Sequence, residues 1–256
     1  FELLEQIGRI GYEPAQIMIL FTYHIFLVVA GMAIARLRKM ELLTQVFFFF
    51  GIIACITYAA IAHPNNLIIR NDVLAGAGSE STYWGHYILT GFMLAILWLM
   101  RQSDKFITKS KAGQSVILMG LSLMGIFILS SELDLFAVHQ FAKDTTDISR
   151  VLHHTQGGGY TVLWGIYSFV LMIYGMRKKE RIIRIFSLGV FGVTLVKLFA
   201  FDISSISEGG KIVAFISLGI LLLVISFLYQ KLKRLIVDGS FEGENENKQN
   251  LELGSE

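Results

Sequence analysis

The sequence has little of what soluble and disulfide-bonded proteins depend on. It contains one cysteine, two prolines and only 16% charged residues, against 54% hydrophobic residues in a chain of 256. The single cysteine, Cys55, excludes an internal disulfide and a CxxC metal site. Average globular domains carry about 25% charged residues, so this deficit argues against a soluble enzyme, a nucleic-acid-binding protein and a disordered scaffold.

Long apolar runs take the place of the missing charge. About seven windows each hold the roughly 20 apolar residues that cross a bilayer as a helix, and they lie near 15–35, 42–62, 83–100, 114–131, 160–176, 182–201 and 212–229. Backbone groups inside a bilayer must be paired internally, and no window alternates like the strand of a membrane barrel. The sequence therefore predicts an all-α, polytopic membrane bundle over residues 15–230.

The charges in the connecting segments predict the direction in which the chain threads the membrane. Basic residues concentrate in alternate connections and after the last window: Arg36, Arg38 and Lys39; Arg101, Lys105, Lys109 and Lys111; Arg177, Lys178, Lys179, Arg181 and Arg184; Lys231, Lys233 and Arg234. The other connections are mainly acidic. Because cytoplasmic loops are enriched in Lys and Arg, we expect an outer N-terminus and a cytoplasmic C-terminus.

The two ends of the chain have compositions of their own. Apolar residues recur at helical spacing among charges in residues 1–14, which is typical of an interfacial helix on the outer surface. The segment carries no feature of a signal peptide, so we expect the natural polypeptide to begin further upstream. Residues 231–256 form a polar tail that we expect to be disordered in the cytoplasm.

The last hundred residues carry a more specific pattern. Residues 160–167 read YTVLWGIY, Lys197 precedes Asp202 by five positions, residues 215–223 read FISLGILLL, and residues 226–230 read SFLYQ. Between about Tyr160 and Lys233, the chain resembles the C-terminal part of the predicted bacterial membrane proteins grouped as domain of unknown function 2339. The resemblance implies a chain that is part of a longer, many-span protein, and it implies no established activity.

Lys197 and Asp202 are the first candidates for a functional site. Lys197 is the only lysine inside a predicted span, and ionisable groups in a span are expensive unless they have a role. It lies near the outer end of its window, where a lysine can extend its ammonium group to the interface. A structural pair between Lys197 and Asp202, a substrate or proton site, and pairing with another subunit all fit this position.

The histidines offer a second group of candidates. His24 lies near the middle of the first window, where a neutral histidine bonded across helices, a proton relay and an axial haem ligand are all compatible with its depth. The other histidines all fall on the predicted outer side: His63, His86, His139, His153 and His154. Their spacing matches no metal motif, so we interpret them as scattered loop residues that can respond to pH.

The longest segment between predicted spans runs from Ser131 to Gly159. It contains several carboxylates and the three glycines 157–159, but no nucleophile motif. We expect a solvated surface loop, with the glycines as a flexible lead into the fifth span.

Two functions remain open, with a third less favoured. The first is transport, or the handling of lipids or envelope precursors, along a polar path in the outer half formed by Lys197, Asp202 and His24. The second is a non-catalytic scaffold or accessory subunit bound to a membrane-protein partner. The third is an envelope-modifying enzyme that uses outer carboxylates and histidines such as Asp144 and His153. All three functions predict that the protein lies in the bacterial inner membrane, in contact with lipid, and that it does not bind nucleic acid. The sequence identifies no catalytic residue, cofactor or metal ligand.

Overall fold

The computed structural model describes residues 13–198 and, further along, Ile216, Gly219, Ile220 and Leu223. The chain divides into two compact units, residues 1–199 and residues 200–256. In the first unit, the described residues form eight α-helices and two five-residue π-helical turns, and they contain no strand. In the second unit, the four described residues are helical and exposed. Asp202 and the polar tail lie outside the described residues.

The helices are long and follow one another closely. They are α1 (Pro14–Leu37), α2 (Glu41–Thr57), α3 (His63–Leu74), α4 (Glu80–Ile107), α5 (Lys111–Phe141), α6 (Ile148–His154), α7 (Tyr160–Arg177) and α8 (Arg181–Lys197). The π-helical turn Tyr58–Ala62 joins α2 to α3, and the turn Thr155–Gly159 joins α6 to α7. As a result, α2 and α3 form one continuous helix of 34 residues, and α6 and α7 form one of 30 residues.

Five continuous helices are long and apolar enough to cross a membrane: α1, α2–α3, α4, α5 and α6–α7. They correspond to the first five predicted windows, and the protein is a multi-pass, all-helical membrane protein. Helix α8 has 17 residues and coincides with most of the sixth window. The seventh window falls almost entirely outside the described residues, so the count of seven spans stays a prediction.

Three short turns meet at one end of the bundle. Residues 38–40, 108–110 and 178–180 join α1 to α2, α4 to α5 and α7 to α8. Helices joined by so few residues pack antiparallel, which places all three turns at the same end. Because most of the Lys and Arg residues between positions 13 and 198 lie in these turns or in the adjoining ends of the helices, we call it the basic end.

The apolar core lies mainly between α1, α2 and α4. Ile25, Leu89, Met93 and Ile96 are completely buried there. Gly31 brings α1 close to α2, since a Cβ atom at this position would lie 2.1 Å from the ring of Phe47. Many other large apolar side chains are exposed on the outside of the bundle, as expected for helices surrounded by lipid tails.

The predicted surface loop at 131–159 is wrong. Helix α5 continues to Phe141, α6 starts at Ile148, and the glycines belong to the π-helical turn Thr155–Gly159, so only residues 142–147 lie between helices. Asp134, which we expected in solvent, is buried at 8% exposure. The segment is helical because α5 and α7 pack against each other and bury polar groups that can bond to one another.

Candidate functional site

Polar side chains line one face of α3, at the end of the bundle opposite the basic end. His63, Asn66 and Arg70 are spaced by three and four residues, which places them on the same side of the helix. Asn66 and Arg70 are buried at 2% and 3% exposure. Their Nδ2, Oδ1 and Nη1 atoms are buried without a hydrogen-bond partner among the described residues, and so is Nδ1 of His63. A face that is polar and buried at the same time requires a partner of matching chemistry.

Helix α5 supplies the opposite wall in register with α3. The two helices run in the same direction, since each ends away from the basic end. The ring of His63 packs edge-on against Phe127 with centroids 5.5 Å apart. Seven residues, or two turns, further along each helix come Arg70 and Asp134, and their charges interact. We call His63, Asn66, Arg70, Phe127 and Asp134 the polar cluster.

Arg70 and Asp134 are near each other without being bonded to each other. The Nε and Nη2 atoms of Arg70 donate to Oδ1 of Asn71 at 3.2 and 2.9 Å. The Nη1 atom of Arg70 and the Oδ1 atom of Asp134 remain buried without a partner among the described residues. A buried cation and anion in this state are stabilised far less than a hydrogen-bonded pair. A group that accepts from Arg70 and donates to Asp134 would satisfy both.

The other oxygen of Asp134 is firmly held by the start of the last long helix. The hydroxyl of Tyr160 donates to Oδ2 at 2.7 Å, and the amide of Gln156 donates to the same atom at 3.0 Å. Gln156 itself is exposed. The polar cluster is therefore separated from the surface by a single layer of side chains at this point.

A second carboxylate, Glu132, lies two residues before Asp134 on α5 and faces α4. Oε2 of Glu132 is 3.2 Å from Nε2 of His86, and Oε1 accepts from the hydroxyl of Thr90 at 2.7 Å. His86 and Thr90 are four residues apart and thus share a face of α4. Glu132 interacts electrostatically with His63, so this group borders the polar cluster.

Both π-helical turns lie beside the site. In each turn, a backbone N–H group donates to the carbonyl oxygen five residues earlier in the chain. The N–H of His63 donates to Tyr58, and the N–H of Tyr160 donates to Thr155. Such turns insert an extra residue into a helix and are frequent at functional sites. Here they directly precede His63 and Asn66 on one wall and Tyr160 on another.

Lys197, predicted from the sequence, is connected to this region. Its ammonium group donates to the carbonyl of Gly157 at 3.0 Å and lies 3.5 Å from the hydroxyl of Thr161. Gly157 directly follows Gln156, which binds Asp134. The end of α8 is thus tied to the π-helical turn that contributes to the site.

Of the other two residues of the predicted polar path, Asp202 lies outside the described residues. His24 is exposed on α1, and no hydrogen bond joins it to another helix within residues 13–198. The described contacts of α1 are with α2, α3 and α4, whereas α8 packs on α7 and α5.

The remaining histidines are not loop residues. His63 and His86 belong to helices and to the site, and His139 pairs with Glu80 at 3.1 Å. His153 and His154 end α6, exposed, with their rings edge to face. Within residues 13–198, no three His, Cys, Asp or Glu side chains converge closely enough to hold a metal ion.

Sequence analysis missed Asn66, Arg70 and Asp134 because they fall outside the most apolar windows. A signal was nevertheless present. His63, Asn66 and Arg70 repeat at helical spacing with no glycine between them, and Asp134 lies between Leu133 and Leu135. Such a pattern favours a helix that buries a polar stripe against a second helix.

Outside the spans, the turn before α6 contains one carboxylate with a shifted pKa. Hydrogen bonds from the side chain and the backbone of Thr146 lower the pKa of Asp144, and the backbone of Asp147 contributes in the same direction. Asp144 is exposed, so these bonds organise the turn and do not make Asp144 part of the buried site.

Comparison with known proteins identifies the family to which the chain belongs. Residues 84–232, more than half of the chain, match the family described as predicted membrane protein (DUF2339). The matched segment includes α4 to α8, and with them Glu132, Asp134 and Lys197, whereas α3 precedes it. No curated protein and no solved structure matches the chain. With this match, the chain belongs to the DUF2339 family of predicted membrane proteins.

Proposed function

We propose that this protein is a transport or lipid-handling protein in which the polar cluster binds the polar part of its ligand. The observation that carries the proposal is the set of buried, unpartnered atoms on His63, Asn66, Arg70 and Asp134. A purely structural core would leave few such atoms, because each one costs about 1–3 kcal/mol when buried without a partner.

The cluster favours a ligand group that both donates and accepts hydrogen bonds. Arg70 offers a donor, Asp134 offers an acceptor, and the amide of Asn66 offers one of each. A group that only accepts would leave Asp134 unsatisfied, and one that only donates would leave Arg70 unsatisfied. A hydroxylated solute or lipid headgroup fits this requirement.

The cluster also lies at a suitable depth. Along its helix, His86 is about 22 Å from Arg101, and His63 is about 33 Å from Glu41, at 1.5 Å per residue. The hydrocarbon core is about 30 Å thick. If the basic end faces the cytoplasm of a bacterial cell, as the charge pattern predicts, then the cluster lies at the outer edge of the hydrocarbon core of the inner membrane. Lys197 then borders the path, and Asp202 and His24 remain proposed members of it.

Single-cysteine labelling tests this function. In a Cys55→Ala background, we expect Asn66→Cys to react with a membrane-impermeant methanethiosulfonate reagent added outside intact cells. Asn66 is 2% exposed, so reaction requires the bundle to open. Ile96→Cys, in the apolar core at 0% exposure, is the matched control and should remain unlabelled.

The result separates the two main functions. A transport or lipid-handling protein opens its site to water, whereas a scaffold keeps it closed. If Asn66→Cys stays as unreactive as Ile96→Cys in folded protein from both sides of the membrane, then the transport proposal is wrong and the scaffold or accessory-subunit function gains support.

A further inference from the structure

The contacts of His86 impose a condition on its protons. Its Nδ1 atom contacts the backbone carbonyl oxygen of Tyr83, and its Nε2 atom lies 3.2 Å from Oε2 of Glu132. A carbonyl oxygen only accepts hydrogen bonds, and so does an ionised carboxylate. A neutral imidazole has only one N–H group, which cannot serve both contacts.

The pair must therefore hold a second hydrogen. It lies either on Nε2, giving an imidazolium ion next to a carboxylate, or on Oε2 of Glu132, which then donates to Nε2. The hydroxyl of Thr90 donates to the other oxygen, Oε1, at 2.7 Å. Oε1 is thus already occupied as an acceptor, and the second hydrogen lies between Oε2 and Nε2.

Burial strengthens this requirement. His86 is 2% exposed, and the side chain of Glu132 is 17% exposed. A carboxylate in such a position is expensive without a positive partner or a proton. Among the described residues, the side chains hydrogen-bonded to Glu132 are His86 and Thr90, and only His86 can supply a positive charge or share a proton.

Among the described residues, the surrounding titratable groups supply no other cation hydrogen-bonded to Glu132. On α4, Tyr83 and Tyr87 interact electrostatically with Glu132, and from the α2–α3 helix Tyr58 and His63 do the same. The tyrosines are uncharged at neutral pH. His63 packs on Phe127 and not on the carboxylate. The charge of Arg70 acts on Asp134, His63 and Tyr83.

We propose that His86 and Glu132 together form a proton-binding site, and that release of its proton loosens the contact between α4 and α5 beside the polar cluster. When the proton leaves, it passes to water through the partly exposed side of Glu132. The pair then consists of a neutral imidazole, which keeps its hydrogen on Nδ1, and a carboxylate. The lone pair of Nε2 and the oxygen of Glu132 then repel each other, so the 3.2 Å contact opens. That this proton is coupled to ligand binding rests on the proposed function.

Nitrogen NMR on protein with ¹⁵N-labelled histidine rings, reconstituted as the full chain in nanodiscs, tests the site. A His86→Gln sample identifies the His86 signals by difference. In the wild type at neutral pH, we expect Nδ1 to carry a hydrogen and Nε2 to show a proton held at the Glu132 contact. Raising the pH until the pair releases its proton should convert His86 to a neutral ring with its hydrogen on Nδ1.

Two glutamine substitutions provide the contrast. In Glu132→Gln, the amide can donate to Nε2, so His86 should be neutral with its hydrogen on Nδ1 over the whole range. Glu80→Gln is the matched control, because Glu80 faces His139 at 3.1 Å in an exposed pair; it should leave the titration of His86 unchanged.

Either of two results would overturn the proton site. One is a wild-type His86 that is neutral with its hydrogen on Nε2 at every pH; this result requires only the His86→Gln sample used for assignment to fold. The other is a Glu132→Gln titration identical to that of the wild type. Neither result would affect the labelling of Asn66→Cys, so the failure of this inference is distinguishable from the failure of the proposed function.

Discussion

The hydrogen bond from Tyr160 to Asp134 gives the sharpest test of the buried site, because the same helix provides its control. Tyr160 and Tyr167 are seven residues apart on α7, and both hydroxyls donate to α5 over 2.7 Å. Tyr160 donates to the carboxylate of Asp134, whereas Tyr167 donates to the backbone carbonyl of Ser122. The substitutions Tyr160→Phe and Tyr167→Phe therefore differ mainly in the charge of the acceptor.

The expected magnitudes follow from that difference. Hydrogen bonds in membrane proteins contribute on average about 0.6 kcal/mol, with a maximum near 1.7, and bonds to an ionised group are roughly twice as strong as neutral ones. We expect Tyr167→Phe to lower the free energy of unfolding by about 0.6 kcal/mol and Tyr160→Phe by about 1.2 kcal/mol. The second figure corresponds to roughly an eightfold change in the unfolding equilibrium.

The assay is equilibrium unfolding in mixed micelles, followed by tryptophan fluorescence. The tilted ring contact between Tyr160 and Trp164, with centroids 5.6 Å apart, can also form with phenylalanine, so it should contribute little to the difference. In an Asp134→Asn background, the effect of Tyr160→Phe should fall to that of Tyr167→Phe, since the acceptor is then neutral. Equal effects of the two substitutions in the native background would refute an ionised, buried Asp134.

Two further predictions concern the turns. Lys179 has a positive φ of 55° in the α7–α8 turn, whereas Lys178 has a φ of −89°. Lys179→Gly should therefore raise the unfolding temperature and increase the free energy of unfolding by up to about 1 kcal/mol. Lys178→Gly removes the same charge but should lower the unfolding temperature. In the turn before α6, Thr146→Val should raise the pKa of Asp144 towards its usual value, as measured by carboxyl ¹³C NMR. Because the pKa of Asp144 is depressed in the folded protein, its stabilisation is present above the unfolded pKa and is lost as the pH falls through the folded pKa; an unchanged pKa in Thr146→Val would contradict the assigned hydrogen bond.

Much of the fold could be predicted because membrane-spanning helices can be recognised from their apolar composition. The first five windows and the basic turns at 38–40, 108–110 and 178–180 correspond to helices and connections in the structure. Hydropathy underestimates the helix ends, however. It separates His63–Leu74 from α2 because that segment is polar, although the segment continues the same helix and is partly buried.

The site was less predictable, because it depends on which helices are neighbours. Lys197 could be identified alone, as a charge in an apolar window. Arg70 and Asp134 can be recognised as part of a site only once the structure shows that α3 and α5 run in register. The proton between His86 and Glu132 can be inferred only once both ring nitrogens of His86 are seen to face oxygen atoms. The sequence contains each residue but not the pairings, which arise from long-range packing.

The two π-helical turns are places at this end of the bundle where the helices tolerate a change in length. Each turn holds one extra residue, and its backbone bond still joins groups on the same side of the helix. Removing one residue from Tyr58–Ala62 would therefore restore a regular α-helix and leave His63, Asn66 and Arg70 facing α5. Removing one residue from the regular helix Glu41–Thr57 would instead rotate everything beyond it by about 100° and turn this polar face away from α5.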